Sequence, residues 1–141
     1  MLKVVLDTDI FSEVLKGKNQ SVVNQAIRYR ASHNKLTIST ITVMEIVKGF
    51  HKVQRETQLQ RFLAGLAHVE VLTVDTHSAE LAGRIYADLE RIGQPIGLAD
   101  VMIAAIAIQQ NLPLVTGNTR HYQRIQAIND SFRIDNWRFD Q

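Results

Sequence analysis

Asp7, Glu45, Asp100 and Asn118 are the side chains best suited to chemistry, each falling where an apolar run ends or a helix begins. Asp7 closes the run Leu2-Lys3-Val4-Val5-Leu6, and Asn118 follows Leu112-Pro113-Leu114-Val115-Thr116. Both read as residues at the carboxyl end of a buried parallel strand, where open α/β sheets build their sites. Oxygen ligands in a chain without cysteine suit a hard divalent cation, Mg²⁺ or Mn²⁺. Carboxylates drawn within a few ångströms repel one another, and some take up protons unless a cation neutralises them. The reaction that fits is attack of metal-activated water on a phosphodiester.

Each of these residues also has a structural use. Asp7 serves equally well as the N-cap of a helix beginning near Ile10, and Asp9 can join the site or cap that same helix, with capping the stronger reading. Glu45 is bracketed by Val43, Met44, Ile46 and Val47, and an acid on the inner half of a helix must be paired or coordinated. Asp100 opens the most apolar helix, where an exposed acid would gain only ~0.3–1 kcal/mol from the helix dipole. Leu98 and Ala99 ahead of it argue against exposure, so a functional role is the stronger reading. Asn118 can cap a helix over 119–125, or lend an amide oxygen to Mg²⁺ or its water without adding charge. The histidines His33, His51, His68, His77 and His121 lack HExxH spacing, and the chain has neither a P-loop nor a GxGxxG turn.

The elements that must position these groups alternate. A first strand ends at Leu6, and a short stripe of Ile10, Val14 and Leu15 stops at Gly17. A helix over 21–31 turns Val22, Val23, Ala26 and Ile27 inward, and Leu36 to Ser39 is a strand. Thr40 or Thr42 caps a helix that buries Val43, Met44, Ile46, Val47 and Phe50. A further helix over 56–67 and a strand over 69–74 follow. Asp75 or Thr76 caps a long helix ended by Gly93, and the helix over 98–110 is apolar all round and therefore buried. Leu114-Val115 is a strand, and Phe132 to Ile134 a last one. Such alternation predicts an α/β fold with a central parallel sheet flanked by helices on both faces.

The chain has 141 residues, enough for one domain with a sizeable core, expected to span 1–141. Its 45% hydrophobic but only 6% aromatic content implies an aliphatic core. No cysteine means no disulfide, which fits a reducing, cytoplasmic setting. No apolar run approaches the ~20 residues of a membrane helix. A net charge of +2 is compatible with a polyanionic partner but does not single one out.

Taken in order, these segments resemble the PIN-domain nucleases, and most of all the VapC toxins of bacterial toxin–antitoxin pairs. The carriers are Leu6-Asp7-Thr8-Asp9, Ile41-Thr42-Val43-Met44-Glu45, the stretch Pro95-Ile96-Gly97-Leu98-Ala99-Asp100-Val101-Met102-Ile103-Ala104-Ala105, and Leu114-Val115-Thr116-Gly117-Asn118-Thr119-Arg120-His121-Tyr122. The tail Asp135-Asn136-Trp137 adds to the likeness. The resemblance implies a PIN-like single domain with Mg²⁺- or Mn²⁺-dependent endoribonuclease activity toward RNA, a cognate VapB-like antitoxin, and a homodimer or larger toxin–antitoxin assembly. It casts Asp7 and Asp100 as principal metal ligands and Glu45 as the third acid. Asn118 stands where many relatives have Asp, which favours one ion over two. Asp9 stands where relatives often carry Asn or Ser and would return the charge missing at Asn118, supporting the site together with Thr8 and Thr116, hydroxyls that orient the carboxylates.

Two other functions share some of these residues. Asp7-Thr8-Asp9 also resembles the nucleophile motif of haloacid-dehalogenase-like phosphatases, with Asp7 attacking phosphorus, although Phe11 stands where Thr or Val is expected. A non-catalytic module, receiver-like or an inactive RNA-binding PIN domain, is the other. For a receiver, Asp75 is the only mid-chain candidate, and no Lys follows Lys52.

Overall fold

A computed structural model describes residues 1–139. The order of elements is β1 (Val5–Leu6), α1 (Thr8–Lys16), α2 (Gln20–His33), β2 (Leu36–Ser39), α3 (Thr40–Lys52) and α4 (Glu56–Gly65). A 3₁₀ turn (Leu66–His68), β3 (Val69–Leu72), α5 (Thr76–Arg91), α6 (Leu98–Gln109), β4 (Leu114–Val115), α7 (Thr119–Gln126) and β5 (Ile134–Asp135) follow. All strand pairings are parallel. They form two ladders, β1-β4-β5 and β2-β3, rather than one continuous sheet. Where β1 faces β2, the Tyr29 hydroxyl stands between the chains, 2.8 Å from Thr37 Oγ1 and 3.2 Å from the Val4 carbonyl.

Alternation along the strands sorts the core into two layers. Val5 and Leu114 face one cluster with Ile85 and Leu89 of α5, Ile103 to Ala107 of α6, and Tyr122 and Ile125 of α7. Leu6 and Val115 face another with Ile10, Phe11, Val22, Ala26, Tyr29, Ile46 and Phe62. Strands buried on both faces explain why β1 and β4 read as short continuous apolar runs rather than alternating ones. The predicted α/β architecture, helices on both faces of parallel strands, is present.

Several local expectations are corrected. Ser39, the last residue of β2, caps α3 by accepting from the Thr42 N–H at 3.2 Å, so neither threonine is the cap. Met44 is 53% exposed and Ile27 59% exposed, because each lies beyond the stripe its helix buries. The inner face of α2 is instead Val22, Gln25, Ala26 and Tyr29. The last strand begins at Ile134 rather than Phe132, whose ring packs into the α7 side of the core. Gly17 ends α1 with φ +67°, the left-handed conformation that favours glycine.

Candidate active site

Parallel strands send their carboxyl ends to one edge, and three of the candidate residues come from there. Asp7 follows β1 directly, Thr116 to Asn118 follow β4, and α3, which starts where β2 ends, carries Glu45 in its second turn. Asp100 arrives differently. The α6 helix leads into β4 and so runs back against it, which brings its first turn to the same edge.

Asp7 is the most enclosed of them. It is buried and caps α1, with one oxygen accepting from Thr8 N–H at 2.9 Å and the other from Thr116 Oγ1 at 2.8 Å. Burial, and then the carboxylates of Asp9 and Asp100, raise its pKa from 3.8 to about 7. Thr116 gives its proton to Asp7 and accepts the Asn118 N–H at 3.0 Å, so one hydroxyl ties the acid to the loop. Thr8 donates to Glu45 Oε1 at 2.6 Å. A hydroxyl has one proton, so the 2.9 Å contact between Thr8 and the buried Thr42 must have Thr42 as donor.

Asp100 accepts from the Tyr122 hydroxyl at 3.3 Å, and its other oxygen lies 3.8 Å from His121 Nδ1. Burial and the charges of Asp7 and Asp100 push the Tyr122 phenol far above its usual range, so it stays a protonated donor between those two acids. Asn118 begins α7 but makes no side-chain cap; its amide nitrogen meets His121 Nδ1 at 2.9 Å. Sequence reasoning passed over Tyr122 and His121. The available signal was their spacing, three and four residues after Asn118, which on a helix turns them to the face Asn118 begins.

Asp9 is not the helix cap expected of it, since Asp7 fills that position. Asp9 crosses to the β4–α7 loop, where Oδ2 accepts the Gly117 N–H at 2.9 Å and lies 3.5 Å from Arg138 Nη2. Burial raises the Asp9 pKa above the usual carboxylate range, against the opposing pull of the Gly117 N–H and the Arg138 guanidinium. Asp75 is spent on a reciprocal capping box with Ser78, which removes the receiver's candidate acceptor.

The donors around Asp7 fit a hard divalent cation by chemistry: every acid offers oxygen, and the buried charge is excess negative. Among the described residues, no group of three His, Asp or Glu side chains is gathered tightly enough to hold an ion as it stands. Beside Thr8 and Glu45 opens a groove of about 480 Å³, lined also by Ile46, Phe50, Lys16 and Arg55. Among the described residues, no helix is long and apolar enough to cross a membrane.

Comparison with known proteins agrees with this arrangement. The PIN domain family model matches residues 4–127. A tRNA(fMet)-specific endonuclease VapC from Shigella flexneri is 35% identical over 138 residues, covering 97% of this chain and 99% of the relative. Its counterpart from Salmonella typhimurium is 36% identical over the same shares of each chain. Among solved structures, DNA-bound VapBC from Salmonella typhimurium superposes with a TM-score of 0.81 at 35% identity, covering 97% of this chain and 99% of that one. VapBC2 from Rickettsia felis, bound to a promoter DNA fragment, gives 0.81 at 28% identity over 96% and 99%. With its acids at the carboxyl edge of parallel strands and VapC relatives matched along nearly their whole length, the chain belongs to the PIN-domain family, on its VapC branch.

Proposed function

We propose that this protein is the toxin of a VapBC-type pair, an endoribonuclease that uses Mg²⁺ or Mn²⁺ to hydrolyse RNA phosphodiesters and is neutralised by a cognate antitoxin. Asp7 is the observation that carries the reading. A carboxylate so buried, facing two others, is unfavourable unless a cation joins it. Asp7 and Asp100 would hold that ion, with Glu45 the third acid and Asn118 at the rim. The chemistry such an ion would supply is a bound water more acidic than bulk water and a positive charge opposite the phosphoryl oxygens.

The rest belongs to the chain's own side chains. Thr116 and Thr8 aim Asp7 and Glu45 by hydrogen bonds, and Tyr122 does the same for Asp100. Glu45, which lines the groove, would accept a proton from an attacking water. The groove suits one unstacked nucleotide of a single strand, with apolar side chains for a base and Lys16 and Arg55 for phosphates. Initiator tRNA is the first substrate to test, because two of the relatives bear that name. A cytoplasmic site of action, one PIN unit over 1–141, a homodimer and a larger assembly with antitoxin complete the reading.

The test is cleavage of total RNA and of initiator tRNA by purified protein with Mg²⁺, with Mn²⁺ and with EDTA, beside Asp100→Asn. Discrete cuts that need metal and fall by roughly a hundredfold or more in the variant are expected. Equal cleavage by the variant would assign the activity elsewhere. A folded protein that binds Mn²⁺ yet cleaves nothing would be an inactive RNA-binding module.

A further inference from the structure

Arg138 belongs to none of the segments that build the acidic site, yet its guanidinium reaches the edge of it. The chain after β5 is anchored by Trp137, 2% exposed and packed beside Tyr29 with ring centroids 6.0 Å apart. The Trp137 carbonyl accepts from Ser21 Oγ at 2.8 Å, and the Arg138 N–H donates to Asn136 Oδ1 at 2.9 Å. Thus held, Arg138 Nε and Nη2 each lie 2.6 Å from Glu13 Oε1. Nη2 is also 3.5 Å from Asp9 Oδ2, the oxygen that accepts the Gly117 N–H.

Two features make this arrangement more than a surface ion pair. Asp9 and Glu13 are one turn apart on α1, like charges that repel unless a cation lies between them. Gly117 is packed flush beneath the guanidinium. A Cβ there would stand 2.8 Å from Asp9 Oδ2 and collide with Arg138 itself. The pairs are also partly shielded, with the three side chains 35%, 30% and 23% exposed, so screening weakens them less than at an open surface.

We propose that Arg138 is a positioning residue for the active site. It offsets the charge of Asp9, a near neighbour of Asp7, holds that carboxylate on the Gly117 amide, and so fixes the loop carrying Thr116 and Asn118. Its effect on turnover rests on the ribonuclease reading, whereas its effect on the Gly117 hydrogen bond does not. Released from Arg138, the Asp9 charge acts on Asp7 without its compensating cation while the loop loses its alignment. Cleavage then slows without a matching loss of Mn²⁺ affinity, which general unfolding would not produce.

The test compares wild type, Arg138→Met, Arg138→Lys and the double variant Asp9→Asn/Arg138→Met. Three quantities are read: RNA cleavage at saturating Mn²⁺, titration with Mn²⁺ alone, and hydrogen exchange at the Gly117 amide. Arg138→Met is expected to cut roughly 10–100-fold more slowly, the usual range for residues that orient ligands. It should bind Mn²⁺ at least as tightly as wild type and exchange Gly117 about tenfold faster. Arg138→Lys, which keeps the charge without the fork, should fall between and serves if the methionine variant does not fold. The double variant should regain most of the lost rate, because the amide that replaces the Asp9 carboxylate still offers an oxygen to Gly117 without the charge. Wild-type rate and unchanged Gly117 protection in Arg138→Met would overturn the proposal. So would a double variant as slow as Arg138→Met. If wild type itself cleaves no RNA, the ribonuclease reading fails, and Gly117 exchange alone decides whether Arg138 holds the loop.

Discussion

The acid at the centre of the site is also the one whose charge the fold tolerates least. Asp7 titrates near 7 in the folded chain against 3.8 ordinarily, so between those values the folded state holds a proton that the unfolded state has lost. Its contribution to stability is therefore full below about pH 4 and is lost as pH rises toward 7. In EDTA, Asp7→Asn should be more stable than wild type at about pH 8, by a few kcal/mol at most, with the gap closing by about pH 4.5. Urea unfolding at the two pH values measures this, and a gap of the same size at both would mean that Asp7 is not the group responsible. Mn²⁺ at the higher pH should raise the wild-type midpoint and leave Asp7→Asn nearly unmoved. The same residue scale shows what spacing cannot convey. The run of Leu6, Asp7, Thr8 and Asp9 displays two acids, but only the tertiary contacts separate one buried among carboxylates from one turned to Gly117 and Arg138.

At the scale of elements, sequence periodicity went far because long helices bury a stripe and strands bury whole runs. The α6 helix, apolar all round, and α5, capped by Asp75, lie where their patterns put them. Misreadings cluster where short-range and long-range demands differ. Met44 and Ile27 are apolar by type but fall off the buried stripe, and Leu98 is 55% exposed at the mouth of α6. Asp7, Asp100 and Asn118 stood out as candidates because each sits at or near an element boundary, and Glu45 because apolar residues bracket it. Tyr122 and His121 were missed although their helical spacing from Asn118 was a signal, and Arg138 because its relevance comes only from how the tail packs. Ser39 is the instructive cap, reading as a strand residue yet ending β2 and opening α3 with one hydroxyl. Ser39→Ala should cost about 1 kcal/mol of stability. It should also slow RNA cleavage modestly, because α3 carries both Thr42 and Glu45. Thermal melting and cleavage rates check the pair, and Ser39→Asp, which keeps a capping oxygen, should restore the melting point. A loss that Asp does not restore would place the cost in packing instead.

The whole molecule is a parallel sheet with a seam. Two ladders, β1-β4-β5 and β2-β3, carry different parts of the site: Asp7, Thr116 and Asn118 hang on the first, Glu45 on the helix that leaves the second. Their relative position is set by the Thr8 hydrogen bonds to Thr42 and Glu45 and by the β1–β2 contact, where no ladder hydrogen bonds are seen among the described residues. Apolar packing of Leu6 against Leu36 and Ile38 within one core supplies adhesion but little direction. Direction comes from Tyr29, whose hydroxyl meets Val4 N at 3.4 Å, Val4 O at 3.2 Å and Thr37 Oγ1 at 2.8 Å. Thr37 has given its own proton to Glu70 at 3.2 Å, and Glu70 is paired with Lys3 at 2.7 Å, so the contact continues across both ladders. Removing only the hydroxyl leaves buried backbone at Val4 without its partner, a cost of about 1–3 kcal/mol. Tyr29→Phe should lower stability by that amount, raise hydrogen exchange at Val4, and loosen the distance between Asp7 and Glu45, reading out as weaker Mn²⁺ binding. If apolar packing alone set the seam, Tyr29→Phe would stay within about 0.5 kcal/mol of wild type, and Mn²⁺ affinity would not move. The two outcomes are separable by unfolding and metal titration on the same preparation, and they decide whether the site is aligned by its own loops or also by a tyrosine at the seam.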